Sequence, residues 1–452
     1  MRLLISLACA ATLAAGLIGC GGGGGGGGGG GFSAPAALTA TVSINGSAAA
    51  ADANGQFAVK PGDTVEITPS QSADWTTSAS TEAAVSLRNP SVSGSKWAAQ
   101  ILNGTASAVI YTVSAKASAN QSLTKATVLN VSAGDARNGT YRVYATNAQQ
   151  YQLSLDFNAN VYTFVNHDGS APVTDTFNTD SSEPGTYFFK TSRVISVANM
   201  SRFRMTTDAV VGNFPFVDPF GTGSTYAVKP FIGARNLVTE QAQLDGVYNR
   251  LGIQRTAAAE TSQITQTEVS SGGTVMKLCF DSTIYSIPNC PPASVATYTV
   301  SATEIAGVWH IVNNANPAEN GRFAMARIGD QKVYLSAGAA PSTPGMLVWR
   351  LGVQDTPVWA AATGHGGSTK GSWASINMTA TGNTRSVINA DGTTAAHANT
   401  YGGMGAFGPA GMRQFPDGTG STYFATYNSK LFTIVGASNV TTGGYLQLNL
   451  LD

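Results

Sequence analysis

Leu155-Asp156-Phe157-Asn158-Ala159-Asn160-Val161-Tyr162-Thr163-Phe164 matches Leu278-Cys279-Phe280-Asp281-Ser282-Thr283-Ile284-Tyr285-Ser286-Ile287 without a gap. Apolar residues fall on apolar residues at every second position, the period of a strand with one buried face. Ile376-Asn377-Met378 is a weaker third copy. Other pairs recur in the same order. Arg250-Leu251-Gly252-Ile253-Gln254 returns as Arg350-Leu351-Gly352-Val353-Gln354, Gly221-Thr222-Gly223-Ser224-Thr225-Tyr226 as Gly418-Thr419-Gly420-Ser421-Thr422-Tyr423, and Lys332-Val333-Tyr334 as Lys430-Leu431-Phe432. Opening strands align at Gly139-Thr140-Tyr141-Arg142, Gly246-Val247-Tyr248-Asn249 and Leu347-Val348-Trp349-Arg350. Ordered matches of this kind predict shared ancestry of three units, 137–244, 245–344 and 345–452, in a repeated antiparallel β region over 137–452 built as sandwich or barrel units. Helix is expected at most over 256–263.

Ahead of the repeats, residues 38–133 alternate as short strands. Thr39-Ala40-Thr41-Val42-Ser43-Ile44 runs into the turn Asn45-Gly46, and Gln56-Phe57-Ala58-Val59-Lys60 into Pro61-Gly62-Asp63. Further strands are read at 64–67, 83–87, 108–113 and 126–131. This spacing predicts a β-sandwich. The segment resembles a bacterial immunoglobulin-like domain, with Trp75 and Trp97 as core aromatics, and the resemblance implies spacing or adhesion. The fold class is therefore all-β.

The 452 residues carry 25 basic and 25 acidic side chains, 11% of the chain in all, against roughly 25% in average proteins. Such a neutral chain has no counterion-release drive toward nucleic acid and no polybasic segment for anionic lipid. With 43% hydrophobic residues it is not a disordered chain.

At the N-terminus Arg2 precedes an apolar run from Leu3 to Ile18, too short for a spanning helix, which ends in Leu17-Ile18-Gly19-Cys20 and leads into the glycines from Gly21 to Gly31. The segment has the n-region, h-region and cleavage site of an export signal. It resembles a bacterial lipoprotein signal whose lipobox is Leu17-Ile18-Gly19-Cys20. That resemblance implies removal of residues 1–19, acylation of Cys20 and, with Gly21 next to it, the outer membrane of a Gram-negative envelope. Residues 20–37 then form a lipidated tether, a coil of about 18 Å root-mean-square span across its glycines. The glycine run lacks the lysine and serine or threonine frame of a phosphate loop, and no cofactor is expected. In an exported chain Cys279 and Cys290 read as a disulfide, worth about 3 kcal/mol in the chain-entropy model.

No catalytic constellation stands out. Gly364-His365-Gly366-Gly367-Ser368 resembles the glycine-rich oxyanion loop of lipases and esterases, yet the chain has no Gly-x-Ser-x-Gly nucleophile elbow, and the segment reads as a flexible loop with an exposed histidine. Asp156-Phe157-Asn158-Ala159-Asn160 starts like a calcium loop but has Val161 and His167 where glycine and glutamate belong, so its oxygens are expected to face water. His167 and Asp168 fit an Asp-Gly hairpin turn, and His310 a strand. Nothing selects a pair of carboxylates of the glycosidase type, and no metal is expected. Aromatic side chains make the better binding surface, with Tyr226, Tyr401, Phe407, Phe415 and Tyr423 as the candidates on loops of the repeat region. The expectation is a lipid-anchored envelope protein that binds a glycan or protein ligand, or serves adhesion. The alternatives are a hydrolase of envelope polymers and a structural partner of outer-membrane proteins.

Overall fold

The computed structural model describes residues 37–81, 84–166, 171–193, 196–221, 225–281, 283–405, 408–416, 422–436 and 444–452. The signal segment, Cys20, the glycine tether, His167-Asp168, Phe407 and the Gly418 to Ser421 part of the repeat lie outside them. Among the described residues there is no α-helix, and regular structure is nearly all strand.

Residues 40–131 form a two-sheet sandwich. A five-stranded sheet contains Ala40–Ile44, Thr64–Pro69 and Lys96–Asn103, and a four-stranded sheet contains Gln56–Val59, Thr124–Val131, Val109–Ala117 and Ala73–Ala79. Val65, Ile67, Ile101, Val113 and Leu129 fill the space between them. Trp97 joins that core, while Trp75 is only half-buried at its margin. Asn45 and Gly46 both take positive φ, 50° and 79°, as a two-residue hairpin turn requires.

The next 96 or so residues close on themselves. Eight strands, from Gly139–Ala145 to Tyr226–Ala234, each pair with the next, and the first pairs with the last to make a closed barrel. Strands from Gly246–Arg255 to Leu347–Gln354 repeat this in a second closed eight-stranded barrel. A third body, from Ala362–Ser368 to Leu446–Leu451, keeps the consecutive order and the first-to-last pairing, but as a nine-stranded sheet whose edges are Thr394–Thr400 and Gly402–Gly403. The opening strands at Gly139 and Gly246 are equivalent in detail. Tyr141 donates its hydroxyl to the carbonyl of Arg137 at 3.0 Å, and Tyr248 to that of Leu244 at 2.9 Å, each four residues back.

Several sequence readings are corrected. Leu347–Gln354 opens no third unit; it closes the second barrel against Gly246–Arg255, so the boundary falls after Gln354 and the third body starts at Ala362. The stretch 155–164 is a hairpin, not one strand: Gln150–Asp156 turns through 157–160 into Val161–Asn166. Its partner stretch begins at the end of Val275–Cys279, the third strand of its barrel, whereas Leu155 lies in the second. Apolar alternation recurs on every inward-facing hairpin, so two non-equivalent hairpins resemble each other. Helix over 256–263 is replaced by the strand Glu260–Ser270, hydrogen-bonded to Gly246–Arg255 along its length.

The first barrel is packed solid with aromatics. Tyr151, Tyr162, Phe164, Phe189, Phe214 and Phe231 lie inside it, with Phe164 tilted against Phe214 at 4.4 Å between ring centres and Phe189 stacked on Phe203 at 4.3 Å. The outer faces of the three bodies meet in a shared core, to which Tyr144 and Ile232, Trp349 and Leu351, and Leu431 and Leu448 contribute in turn. Cys279 and Cys290 form a disulfide with their Cα atoms 5.8 Å apart.

Asp156 sets the sandwich against the first barrel. Its side chain is buried, accepts from the backbone of Asn158 and Ala159 at 3.0 and 3.1 Å, and faces Arg88 of the sandwich at 3.7 Å. The first position of the calcium-like loop is thus a domain contact and does not face water, whereas Asn158 and Asn160 are exposed as expected.

Candidate functional site

The duplicated pentapeptide decides where the second barrel differs from the first. Arg250-Leu251-Gly252-Ile253-Gln254 and Arg350-Leu351-Gly352-Val353-Gln354 lie on the first and last strands and pair antiparallel with each other: Arg250 with Gly352, Leu251 with Leu351, Gly252 with Arg350. Side chains alternate across a strand. Leu351 and Val353 therefore point out into the shared core, and the arginines and glycines point in. Each arginine lies over the glycine opposite. A Cβ at Gly252 would stand 2.9 Å from Cγ of Arg350, and one at Gly352 3.7 Å from Cβ of Arg250. At Gly252 a Cβ would also crowd the Trp349 carbonyl at 2.6 Å, and at Gly352 the tight neighbours are Cβ of Tyr334 and Tyr248 at 3.1 and 3.3 Å.

In the first barrel the same places hold Val143, opposite Gly233, and Phe231, opposite Ala145. All four belong to its filled interior or its lining. Exchanging valine and phenylalanine for two arginines leaves the second barrel unfilled at that end. A cavity of about 590 Å³ opens there, lined by Arg250, Arg350, Gln254, Gln263, Glu319 and Phe280 among others, with Leu278, Tyr298, Ile311 and Tyr334 below. That volume lies within the range of small-molecule sites, about 300 to 1,000 Å³.

Charges in the cavity are unequally satisfied. Glu319 is fully engaged: Tyr298 donates its hydroxyl to one oxygen, and Asn313 donates to the other at 3.0 Å. Burial, reinforced by this carboxylate, pushes the Tyr298 hydroxyl up. Arg322 at the rim pairs with Glu304 at 3.0 Å. Arg350 donates through Nε to Gln263 at 2.5 Å, and burial together with the neighbouring Arg250 brings its pKa down to about 10. Arg250 is 3% exposed, lies 5.6 Å over the Tyr334 ring, and its buried Nε has no hydrogen-bond partner. A second cavity of about 550 Å³ runs between the second barrel and the third body, lined by Cys279, Tyr285, Phe424 and again Gln263 and Phe280. Phe280, 47% exposed, stands where the two cavities adjoin.

Of the aromatics expected to bind, the four that the structure describes are elsewhere and packed. Phe415 is 1% exposed and stacks on Tyr423, which is also edge-on to Tyr445. Tyr401 packs edge-on to Trp359 and accepts from Asn383 at 3.0 Å. Tyr226 begins the last strand of the first barrel with Arg193 4.8 Å over its ring. Phe415 is fully buried, and Tyr226, Tyr401 and Tyr423 are partly covered by neighbouring rings or by arginine. The repeated Arg-Leu-Gly signal was the one that could have found the site, since a charged residue on an inward-alternating strand beside glycine has to point into the barrel.

His365 is not on an exposed loop either. It sits in the strand Ala362–Ser368, half-buried, with Nε2 3.3 Å from Glu183 and Nδ1 beside Arg204 of the first barrel. Glu183 also accepts from Trp373 Nε1 at 3.0 Å and pairs with Arg202 at 3.3 Å. Burial lowers the His365 pKa, with Arg204 acting the same way and Glu183 and Asp452 opposing. The folded protein therefore refuses a proton that the unfolded chain takes up near pH 6.5. Stability is expected to fall as pH drops below about 6.5, and a melting series from pH 7 to 5 should show a shallower loss for His365→Gln. Equal slopes would remove this cluster as the cause. Among the described residues no three His, Cys, Asp or Glu side chains gather to hold a metal.

No family model and no curated protein matches the chain. Among solved structures, a quinonprotein alcohol dehydrogenase-like protein from Bacteroides thetaiotaomicron aligns at 9% identity over 91% of this chain and 98% of that one, with a TM-score of 0.14. A score so low carries no information on fold or cofactor.

Proposed function

We propose that the chain is a lipid-anchored binding protein of the cell envelope, whose ligand is a glycan seated in the mouth of the second barrel. The observation that carries the reading is the replacement of Val143 and Phe231 by Arg250 and Arg350 at matching barrel positions, with a cavity of about 590 Å³ where the first barrel is solid. Its lining suits sugars. Gln254, Gln263 and Asn320 supply amide donors and acceptors, and Phe280, largely exposed, supplies a face for the apolar side of a ring. Localisation rests on the resemblance of Leu17-Ile18-Gly19-Cys20 to a lipobox, since multiple acyl chains give stable anchoring. The Cys279 to Cys290 disulfide agrees with an oxidising compartment.

The test is a thermal-shift screen of the full chain in detergent against neutral and acidic oligosaccharides and short peptides. A saccharide at a hundredfold excess over its Kd should stabilise by about 2.7 kcal/mol. Gly321→Trp should abolish the shift, because Gly321 lines the cavity and a Cβ there would meet only Ile311, at 3.9 Å. No shift from any saccharide, or a shift that survives Gly321→Trp, overturns the reading. Palmitate labelling that persists in Cys20→Ala overturns the anchor.

A further inference from the structure

Resting on the binding reading, we infer that the second barrel holds an anion subsite, and that the ligand presents a single carboxylate, as an acidic sugar does, to Arg250 and Arg350. Three observations converge. Arg250 is buried, yet its Nε has no partner. A buried donor left unpaired costs about 1 to 3 kcal/mol, more when charged; Arg88, Arg255 and Arg385 also keep one such nitrogen, but Arg250 lines a cavity with room for a ligand. Arg350 lines the same cavity, already tied by Nε to Gln263.

The charge balance selects the ligand. Of the charged groups around the cavity, Arg322 is matched by Glu304, and Glu319 has both oxygens occupied by Tyr298 and Asn313. Arg250 and Arg350 against Glu319 leave one positive charge. A monoanion neutralises it, and a phosphate dianion overshoots. Planar carboxylate also meets planar guanidinium with paired donors, the strongest form of this contact. The glycines at 252 and 352 leave no methyl group between each arginine and the strand opposite. A structural role for Arg250 would give its guanidinium a protein acceptor, as Arg385, whose Nε is likewise unpaired, has through Nη1 in Tyr445 and Gln447 at 3.0 and 2.8 Å.

The experiment uses the full chain in detergent and three probes: a disaccharide ending in glucuronate, the same disaccharide with its carboxyl reduced to the alcohol, and inorganic phosphate. Calorimetry at low and high salt should show the acid binding at least about tenfold tighter than the alcohol, equivalent to about 1.4 kcal/mol. In Arg250→Gln and in Arg350→Gln that preference should fall to near one. The melting temperature of ligand-free Arg250→Gln should not drop, since no hydrogen bond to Nε is lost. A fall of several degrees in the empty variant would mark Arg250 as structural and overturn the inference. Equal affinity for acid and alcohol overturns the carboxylate assignment while leaving the glycan reading in place. Displacement of the acid by phosphate at comparable concentration also overturns it, in favour of a phosphate ligand. If neither disaccharide binds but another saccharide does, only the subsite falls; if no saccharide binds, both readings fall together.

Discussion

Truncating Trp349 to alanine is expected to cost about 3 to 5 kcal/mol, the range for a fully buried tryptophan. The indole is completely buried in the core that the three bodies share, and its Nε1 donates to the Tyr144 carbonyl of the first barrel at 3.1 Å. The deletion therefore opens a cavity and leaves that carbonyl without its donor. Because the side chain faces away from the barrel interior that Arg350 lines, the loss should appear first as looser association of the bodies. Denaturant melts should show a lower midpoint, and limited proteolysis should cut between 354 and 362 sooner than in the parent. A melt unchanged within about 1 kcal/mol would mean that the three bodies do not depend on this core.

Gly366→Ala is expected to be nearly as damaging, about 3 kcal/mol or more, at the upper end of what overpacking causes. A Cβ there would overlap the Leu448 carbonyl oxygen and the Asn449 Cα on the adjoining strand, and Gly364 is hemmed in likewise by Leu450 and Leu451. Backbone cannot move aside as a flexible side chain can. The strand Ala362–Ser368 pairs with Leu446–Leu451 to join the first and last strands of the third body, so the substitution strikes that seam. Gly403→Ala is the control, since a Cβ there meets nothing within 4 Å, and its melt should match the parent's. Equal melts for the two variants would show that the seam yields. The glycine-rich segment that resembles an oxyanion loop is thus explained by close strand packing.

Legibility followed the physics of each feature. Alternation at Leu153, Leu155, Tyr162 and Phe164 was readable because each faces a barrel interior, and period 2 survives any topology. The Asn45-Gly46 turn was readable because two successive positive φ values favour that pair. Where strands join was not. Leu347–Gln354 looks like an opening strand because it carries the same pentapeptide as Gly246–Arg255, and only their mutual pairing shows that one closes the barrel the other opens. Phe415 was not legible as a core residue for a related reason: it reads the same whether a strand turns it inward or outward, and burial settled it.

The sequence alone determined that the chain is all-β, that a sandwich precedes repeated β units, and that Cys279 and Cys290 pair. These are local properties, encoded in period, turn chemistry and composition. Tertiary structure decided that the repeats are two closed barrels and a nine-stranded sheet, that their outer faces share one core, and that Arg250 and Arg350 stand in a cavity while Val143 and Phe231 fill their counterparts. Those depend on which strand closes against which. Closure is a contact between residues about a hundred positions apart, and no local pattern carries it.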